Sequence, residues 1–373
     1  MSDVDIVRVQ TRSELKQFID LPWHIYSSDC MWVPPLKRQV RRLLDTSKHP
    51  FWKFSEQILF LARRGAEVVG RVAGIIDNNH NRYHNENAGA WGFFECRNDQ
   101  EAARRLLSAV EEWVRERGMT VLRGPLNPST NYEVGTLIEG FEYPPTIMMP
   151  WNYPYYPSLV EGCGFQKEKD LLALKLTHQD RIGDRFHRLA KRIKKKGKIW
   201  SRNGSKKHVE SEMSLIADIY RSAWAENWGF VPTTDEENRE MAKNLLHVME
   251  EDLTFFIYYG DEPAGVVMVM LDVNPLLKRL NGKIGITGLF KYLLYRKEIR
   301  GLRGAVFGVK KQYRNLGLPL VAFDHLYTVL AGNDKYDYLE LGWNLEDNDA
   351  INKLELEAGA KVYKKYRIFS KSL

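Results

Sequence analysis

The chain has 373 residues, 44% of them hydrophobic and 28% charged, with a formal net charge of +7. At ~150 residues per domain that length favours two domains, and the balance excludes a mostly disordered, collagen-like or membrane-spanning protein. No run approaches ~18 consecutive apolar residues, so no transmembrane helix is expected.

The start, Met1-Ser2-Asp3-Val4-Asp5, is acidic and lacks the basic-then-apolar pattern of a secretory signal. Cys30, Cys96 and Cys163 are odd in number, far apart and without metal-ligand spacing. They read as reduced thiols of a cytoplasmic protein, with neither a zinc site nor a disulfide framework. The charge is uneven. Between Arg181 and Lys207 there are 12 Lys/Arg against Asp184 alone, a local +11, so the remainder sums to about −4. A second basic run, Lys278 to Arg303, has eight Lys/Arg against Glu298.

In chain order, the alternating Ile6-Val7-Arg8-Val9-Gln10 opens a strand. Thr11 with Glu14 forms a capping box ahead of a helix whose apolar face is Leu15, Phe18 and Ile19. Trp32-Val33-Pro34-Pro35 separates it from a short helix with Val40, Leu43 and Leu44, because proline cannot continue a helix. A hairpin over 58–73 and a strand over 90–96 precede a helix over 99–117 that Gly118 ends. Strand 119–123, a Pro-rich crossing, helix 154–161 and strand 171–176 complete the half.

The second half repeats this order. Strand 198–202, helix 211–225, the loop Trp228-Gly229-Phe230-Val231-Pro232, helix 235–251 and a hairpin over 253–271 come first. Strand 306–309, helix 318–331, strand 338–341, helix 349–358 and strand 362–369 follow. Glu67-x-x-Gly70 matches Glu262-x-x-Gly265, and Gly164 matches Gly359, both 195 residues apart. Insertions at 125–152 and 273–303 account for drift between these anchors. A duplication of this kind implies an α+β fold of two tandem domains, each a mixed central sheet flanked by helices. The domains are expected at 1–177 and 198–373. They are joined over 178–197 by a basic amphipathic helix with Phe186, Leu189, Ala190 and Ile193 on its apolar stripe.

No nucleophile elbow, phosphate-binding P-loop or zinc-helix motif is present. The stretch Val309 to Leu320 follows an apolar strand and opens a long helix, and backbone N–H groups at such a helix start suit a pyrophosphate. Gly317 allows close backbone approach, whereas Pro319 fits the first turn but removes one donor. Each feature has a plainer reading: a tight turn here, a lysine partner for Glu340, an N-cap role for Asn348.

Arg314-Asn315-Leu316-Gly317-Leu318-Pro319 resembles the Arg/Gln-x-x-Gly-x-Gly/Ala signature of the GNAT (Gcn5-related N-acetyltransferase) superfamily, departing at Pro319. Glu340 to Asn348 and Tyr363-Lys364-Lys365-Tyr366-Arg367 look like its tandem YghO-like branch. The resemblance implies an N-acyltransferase that uses acetyl- or another acyl-coenzyme A, without a metal, and acts on an amine of undefined identity. The coenzyme would run along Phe307, Gly308 and Val309, with its diphosphate at Arg314, Asn315, Leu316, Gly317 and Leu318. Asn344 and Asn348 would stand on the opposite wall. Glu340 is the candidate base, Tyr363 and Tyr366 are candidate proton donors, and the Val309 N–H would polarise the thioester carbonyl. Relatives place a Tyr where this chain has Glu355.

Trp224, Asn227, Trp228 and Phe230 would shape the acceptor pocket, and Asn127, Ser129, Thr130 and Asn131 form a loop patch that could close over it. The corresponding first-half turn, Glu95 to Asp99, has two acids and no glycine, so that half is expected to bind no coenzyme. Two alternatives stand beside this reading. One is a Fem-like transferase using aminoacyl-tRNA held by the basic segment, although only Phe186 and Trp200 there could stack bases. The other is a non-catalytic coenzyme sensor or scaffold. The insertion around Leu289, Phe290, Leu293 and Leu294 reads as a lid, or as a surface for a membrane or partner.

Overall fold

The structure, a computed structural model, describes residues 3–26, 31–177, 179–180, 184–195, 198–245, 248–285, 288–332 and 334–373. Cys30, Arg181, Lys196 and the side chain of Leu289 lie outside the described residues.

The first part of the chain forms β1 (Val4–Arg8), α1 (Arg12–Ile25), α2 (Lys37–Leu43), β2 (Ser55–Arg64), β3 (Glu67–Asp77), α3 (Asn78–His84), β4 (Ala88–Cys96) and α4 (Gln100–Arg115). It continues through β5 (Val121–Gly124), β6 (Leu126–Asn127), β7 (Glu133–Val134), β8 (Thr136–Glu139), α5 (Tyr156–Glu161) and β9 (Gln166–Thr177). After α6 (Asp184–Lys195) come β10 (Ile199–Asn203), α7 (Val209–Trp224), α8 (Asp235–Leu245), β11 (Phe255–Tyr259) and β12 (Glu262–Leu271). Then follow α9 (Asn274–Leu280), α10 (Gly288–Tyr295), β13 (Gly301–Val309), α11 (Leu318–Ala331), β14 (Tyr338–Leu345), α12 (Asp349–Glu357) and β15 (Lys361–Ser372).

These elements gather into two compact units that are not contiguous in sequence. Unit 1 is Met1–Leu171, Leu276–Leu294 and Lys364–Leu373; unit 2 is Leu172–Pro275 and Tyr295–Tyr363. Strands β9 and β15 therefore each contribute residues to both. Unit 1 carries the strand order β1-β2-β3-β4-β5-β15, antiparallel except for the parallel pair β4–β5. Alternate residues of β3 serve opposite faces, as the two-residue strand repeat requires. Ala73 and Ile75 pack with Phe18 and Ile19 of α1, whereas Gly74 lies against Val110 and Trp113 of α4. The capping box that starts α1 is formed: Thr11 Oγ1 accepts from the Glu14 N–H at 3.2 Å, and Glu14 Oε2 accepts from the Thr11 N–H at 2.9 Å.

Unit 2 carries the order β9-β14-β13-β12-β11-β10, with β13–β14 parallel. Val266 and Met268 pack under α7 with Met213, Ile216 and Ile219. Val267 and Val269 face the other way, against Leu318, Ala322, Phe323 and Leu326 of α11. The connecting helix α6 lies along α11. Phe186 and Ala190 are buried, His187 pairs with Asp324, and Lys194 Nζ stands 3.4 Å from Asp324 Oδ2. Phe186 is therefore core and cannot stack a base.

Three expected boundaries shift, and one helix was not expected. Helix α8 ends at Leu245 rather than Glu251, because Val248 and Met249 turn to pair with Leu271 and Met270 of β12. Helix α3 has no counterpart in the apolar pattern, being polar throughout and started by Asp77, which caps the N–H groups of Asn79 and His80. Strands β13 and β14 run longer than their apolar cores, from Gly301 and to Leu345. Their extra residues mix Gly301, Gly304, Gly342, Arg303 and Asn344 with the apolar Leu302, Trp343 and Leu345, a pattern without the strict alternation that marks a strand in sequence.

Candidate functional site: a parted strand pair in unit 2

β13 and β14 pair through Gly301↔Tyr338, Leu302↔Leu339, Arg303↔Glu340 and Gly304↔Leu341. Both strands continue past that point without pairing each other. The cause lies on the other edge of β13. Met268 pairs with Val306 and Val269 with Gly304, so Ala305 is an extra residue, and a bulge of this kind bends its strand. The paired stem, residues 301–303 and 339–341, is buried, whereas the arms at 304–307 and 342–344 are partly exposed. The result is a fork with partly exposed arms.

The fork has defined donors. The Lys310 N–H donates to Ala264 O on β12 at 2.8 Å, and the Gly308 carbonyl also faces β12. By strand alternation the N–H groups of Phe307 and Val309 point to the opposite edge, the one β14 has left. Gly308 turns its Cα towards Ala223 and Ile219 of α7, so it serves helix packing rather than the fork. Phe307 packs at a tilt on Phe323 of α11, ring centres 5.3 Å apart, and Val309 is buried.

The turn after β13 departs from the expected open cradle. Lys311–Leu316 is a 3₁₀ helix, which uses part of its own N–H groups internally. Gly317 is left-handed at φ 76°, and a Cβ there would meet Ile193 Cδ1 at 2.5 Å. Its bare side is thus filled by α6, and Leu318 is wholly buried. Close backbone approach at Gly317 is therefore used for packing α6 onto α11. Arg314, Asn315 and Leu316 stand exposed, as does Lys311. The Arg314 guanidinium donates to the Ala223 carbonyl, and Lys311 and Arg314 share Glu226 at 2.6 and 4.0 Å.

On the other arm, Asn344 Nδ2 donates to Glu355 Oε2 at 2.6 Å. Glu355 projects from α12 and is only 3% exposed, and burial pushes its carboxyl up to about 8. Burial thus favours the protonated form of a carboxyl tied to the wall of the fork. Sequence reasoning passed it over as a missing tyrosine; the signal was an acidic residue on an otherwise apolar helix stripe with Ile351 and Leu354. Asn348 stands at the start of α12 without a side-chain capping bond.

Glu340 and Tyr363 are brought together, the phenol donating to Glu340 Oε2. Glu340 is 0% exposed, with Arg303 Nε 3.8 Å from Oε1. Lys175 Nζ lies 4.5 Å from the Tyr338 ring centre, and Tyr338 donates to buried Asp272 at 2.7 Å. Glu340 and Tyr363 thus form a buried polar pair at the stem, with Tyr338 and Asp272 beside it. Tyr366 belongs to unit 1, where it is fully buried and pairs with Leu137. At the end of α7, Trp224 and Phe230 pack on Tyr220 at 4.3 and 5.2 Å. Phe230 is buried, whereas Asn227 and Trp228 remain partly exposed. Among the described residues no cluster of three or more His, Cys, Asp or Glu could hold a metal ion.

Unit 1 contains the corresponding parallel pair, Ala88↔Val121 to Ala90↔Arg123. Its fork is shut. The Phe93 N–H donates to Asn127 Oδ1, and a Cβ on Gly92 would lie 1.8 Å from the Leu126 carbonyl oxygen. The α4 N-terminus is satisfied by its own anion, Asp99, which accepts from Glu101 and Ala102 and pairs with Arg64. Asn127, expected in a loop over the site, instead plugs this fork. Gly92→Ala is expected to cost about 3 kcal/mol or more by overpacking against backbone, measured by urea denaturation; an unchanged midpoint would contradict this geometry.

Mixed sheet strands with flanking helices in each unit, one unit with a parted parallel pair and a helix start beside it, define the architecture of the GNAT acyltransferases. A tandem GNAT protein from the clavulanic acid biosynthesis pathway superposes with a TM-score of 0.55 at 12% identity, over 99% of this chain and 98% of that one. A GNAT protein from Sphaerobacter thermophilus gives 0.53 at 12%, over 99% and 95%. In sequence, the chain is 33% identical over 382 residues to the bacterial ceramide synthase of Caulobacter vibrioides, covering 100% of this chain and 98% of that protein. It is 30% identical over 374 residues to Protein YghO of Escherichia coli, covering 97% and 94%. No family model matches it. The chain belongs to the tandem, YghO-like branch of the GNAT superfamily.

Proposed function

We propose that the protein is an N-acyltransferase that moves an acyl group from acyl-coenzyme A to the amine of a long-chain amino alcohol. The open fork of unit 2 carries the reading. Its exposed arms and the free-edge N–H groups of Phe307 and Val309 form a slot where an extended amide-bearing chain can bond as a third strand, with the thioester carbonyl at the Val309 N–H. The acceptor class follows the printed name of the 33% identical relative, since a ceramide is the N-acyl amide of such an amino alcohol.

The amine nitrogen attacks the thioester carbonyl, its C–N bond forms, and the C–S bond breaks. The nitrogen gives up one proton to solvent, and the departing thiolate takes one from Glu355, which solvent restores. Amide and free thiol are the products. The Asn344 amide holds the Glu355 carboxyl in place, and its raised affinity for a proton suits donation at neutral pH. Glu340 is assigned to the stem network that fixes Arg303 and Tyr363, not to proton removal.

The test is release of free thiol from long-chain acyl-coenzyme A in the presence of sphinganine, with short amines as controls. Thiol release dependent on the long-chain amine supports the reading. Coenzyme binding without release for any amine points to a sensor, and no binding removes the acyl-transfer reading altogether. The double variant Lys311→Glu/Arg314→Glu reverses charge beside the fork and is expected to weaken coenzyme binding at least about tenfold, steeply with salt. Calorimetry measures it; equal affinity would place the diphosphate elsewhere.

A further inference from the structure

The four most exposed large apolar side chains among the described residues all lie between 284 and 294: Phe290 at 67%, Ile284 at 65%, Leu294 at 56% and Leu293 at 53%. Tyr292, at 44%, is among them. Such a concentration on one short helix and its approach is not the scattered exposure of ordinary surfaces. The segment is well seated at its base. Leu276 and Leu280 are buried, Trp23 Nε1 donates to Asn281 Oδ1 at 2.8 Å, and the Lys37 N–H donates to the Gly282 carbonyl at 3.0 Å. Lys291 Nζ ties α10 back to the Arg279 carbonyl at 3.1 Å. The apolar tip is thus held out on a fixed support.

Its surroundings are basic. Lys278, Arg279, Lys283, Arg296 and Lys297 are exposed around the tip in sequence, with Glu298 the one acid between Lys278 and Arg303. We propose that α10 and its approach dock on an anionic bilayer, Phe290, Leu293 and Leu294 entering the headgroup boundary while the lysines and arginines contact phosphate. Large apolar groups rimmed by snorkelling cations match that interface, whereas a protein groove would need acidic or hydrogen-bonding complements that this rim does not select. The inference rests on surface chemistry and goes beyond the proposed reaction, although a lipid amine would be met at that surface.

Flotation of the full chain with phosphatidylglycerol–phosphatidylcholine vesicles, without acyl donor or amine, tests it separately from transfer. The wild type is expected to float with anionic vesicles and to be released by salt, with little retention on pure phosphatidylcholine. Phe290→Ser/Leu293→Ser and Lys283→Glu/Lys297→Glu should each reduce retention at least tenfold, with circular dichroism unchanged because all four side chains are exposed. Failure of the wild type to float overturns the proposal, as does undiminished flotation of the serine variant. Self-association or capture of a protein by α10 in the absence of vesicle binding would assign the patch to a protein partner instead.

Discussion

Glu355→Gln is expected to lower the transfer rate by about a hundredfold or more, the usual worth of a positioned general acid. Glutamine keeps an oxygen for the Asn344 amide but carries no transferable proton, so folding survives and chemistry does not. In the wild type the acid is protonated below about 8, so its rate should fall as pH rises through that value. The variant should lose that limb of the profile. Stability moves the same way with pH. An unfolded Glu355 releases its proton near the ordinary 4.5, whereas the native one holds it to about 8. Between those values the native state binds the extra proton, and stability drops by roughly 1.4 kcal/mol per pH unit as pH rises, levelling above 8. The variant has no such slope, so its melting temperature should gain on the wild type from pH 5 to 8. Gained stability with an unaltered rate would make Glu355 structural only.

Glu340→Ala is expected to cost about 3–5 kcal/mol, because it strips a fully buried carboxylate from Arg303 and Tyr363 and leaves the guanidinium poorly compensated. Glu340→Gln should cost less, since its amide oxygen still accepts from the Tyr363 phenol. Denaturation of both variants, together with their rates at temperatures where each is folded, separates the two possible roles. A stem residue loses stability first and rate only through it. A folded, fully stable Glu340→Gln protein with no activity would restore the general-base assignment.

The parallel strand pairs of the two units part differently. In unit 2 the Ala305 bulge bends β13 away from β14, and the arms stay partly exposed. In unit 1 the same parting is filled by Leu126 and Asn127, and Asp99 occupies the helix start. In the sequence, two acids and a missing glycine at Glu95 to Asp99 set this turn apart from the one after Val309. The plug itself did not show, because it comes from an insertion over 125–152 whose spacing predicts no destination.

Much was legible in the residues alone. The capping box at Thr11 and Glu14, the apolar face of α1, the Gly118 stop and the turn after Val309 are local patterns, and local patterns depend on hydrogen bonds and burial within a few residues. The family resemblance was carried by such short motifs too. What required the tertiary structure were pairings across long separations. Gly317 read as an opening for phosphate and became a seat for Ile193. Glu340, read as a base, lies buried and accepts from Tyr363, 23 residues on. Glu355 read as a defect and emerged as a buried acid. In each case the residue's chemistry depends on who desolvates it, and that neighbour is chosen by how the sheets and helices meet.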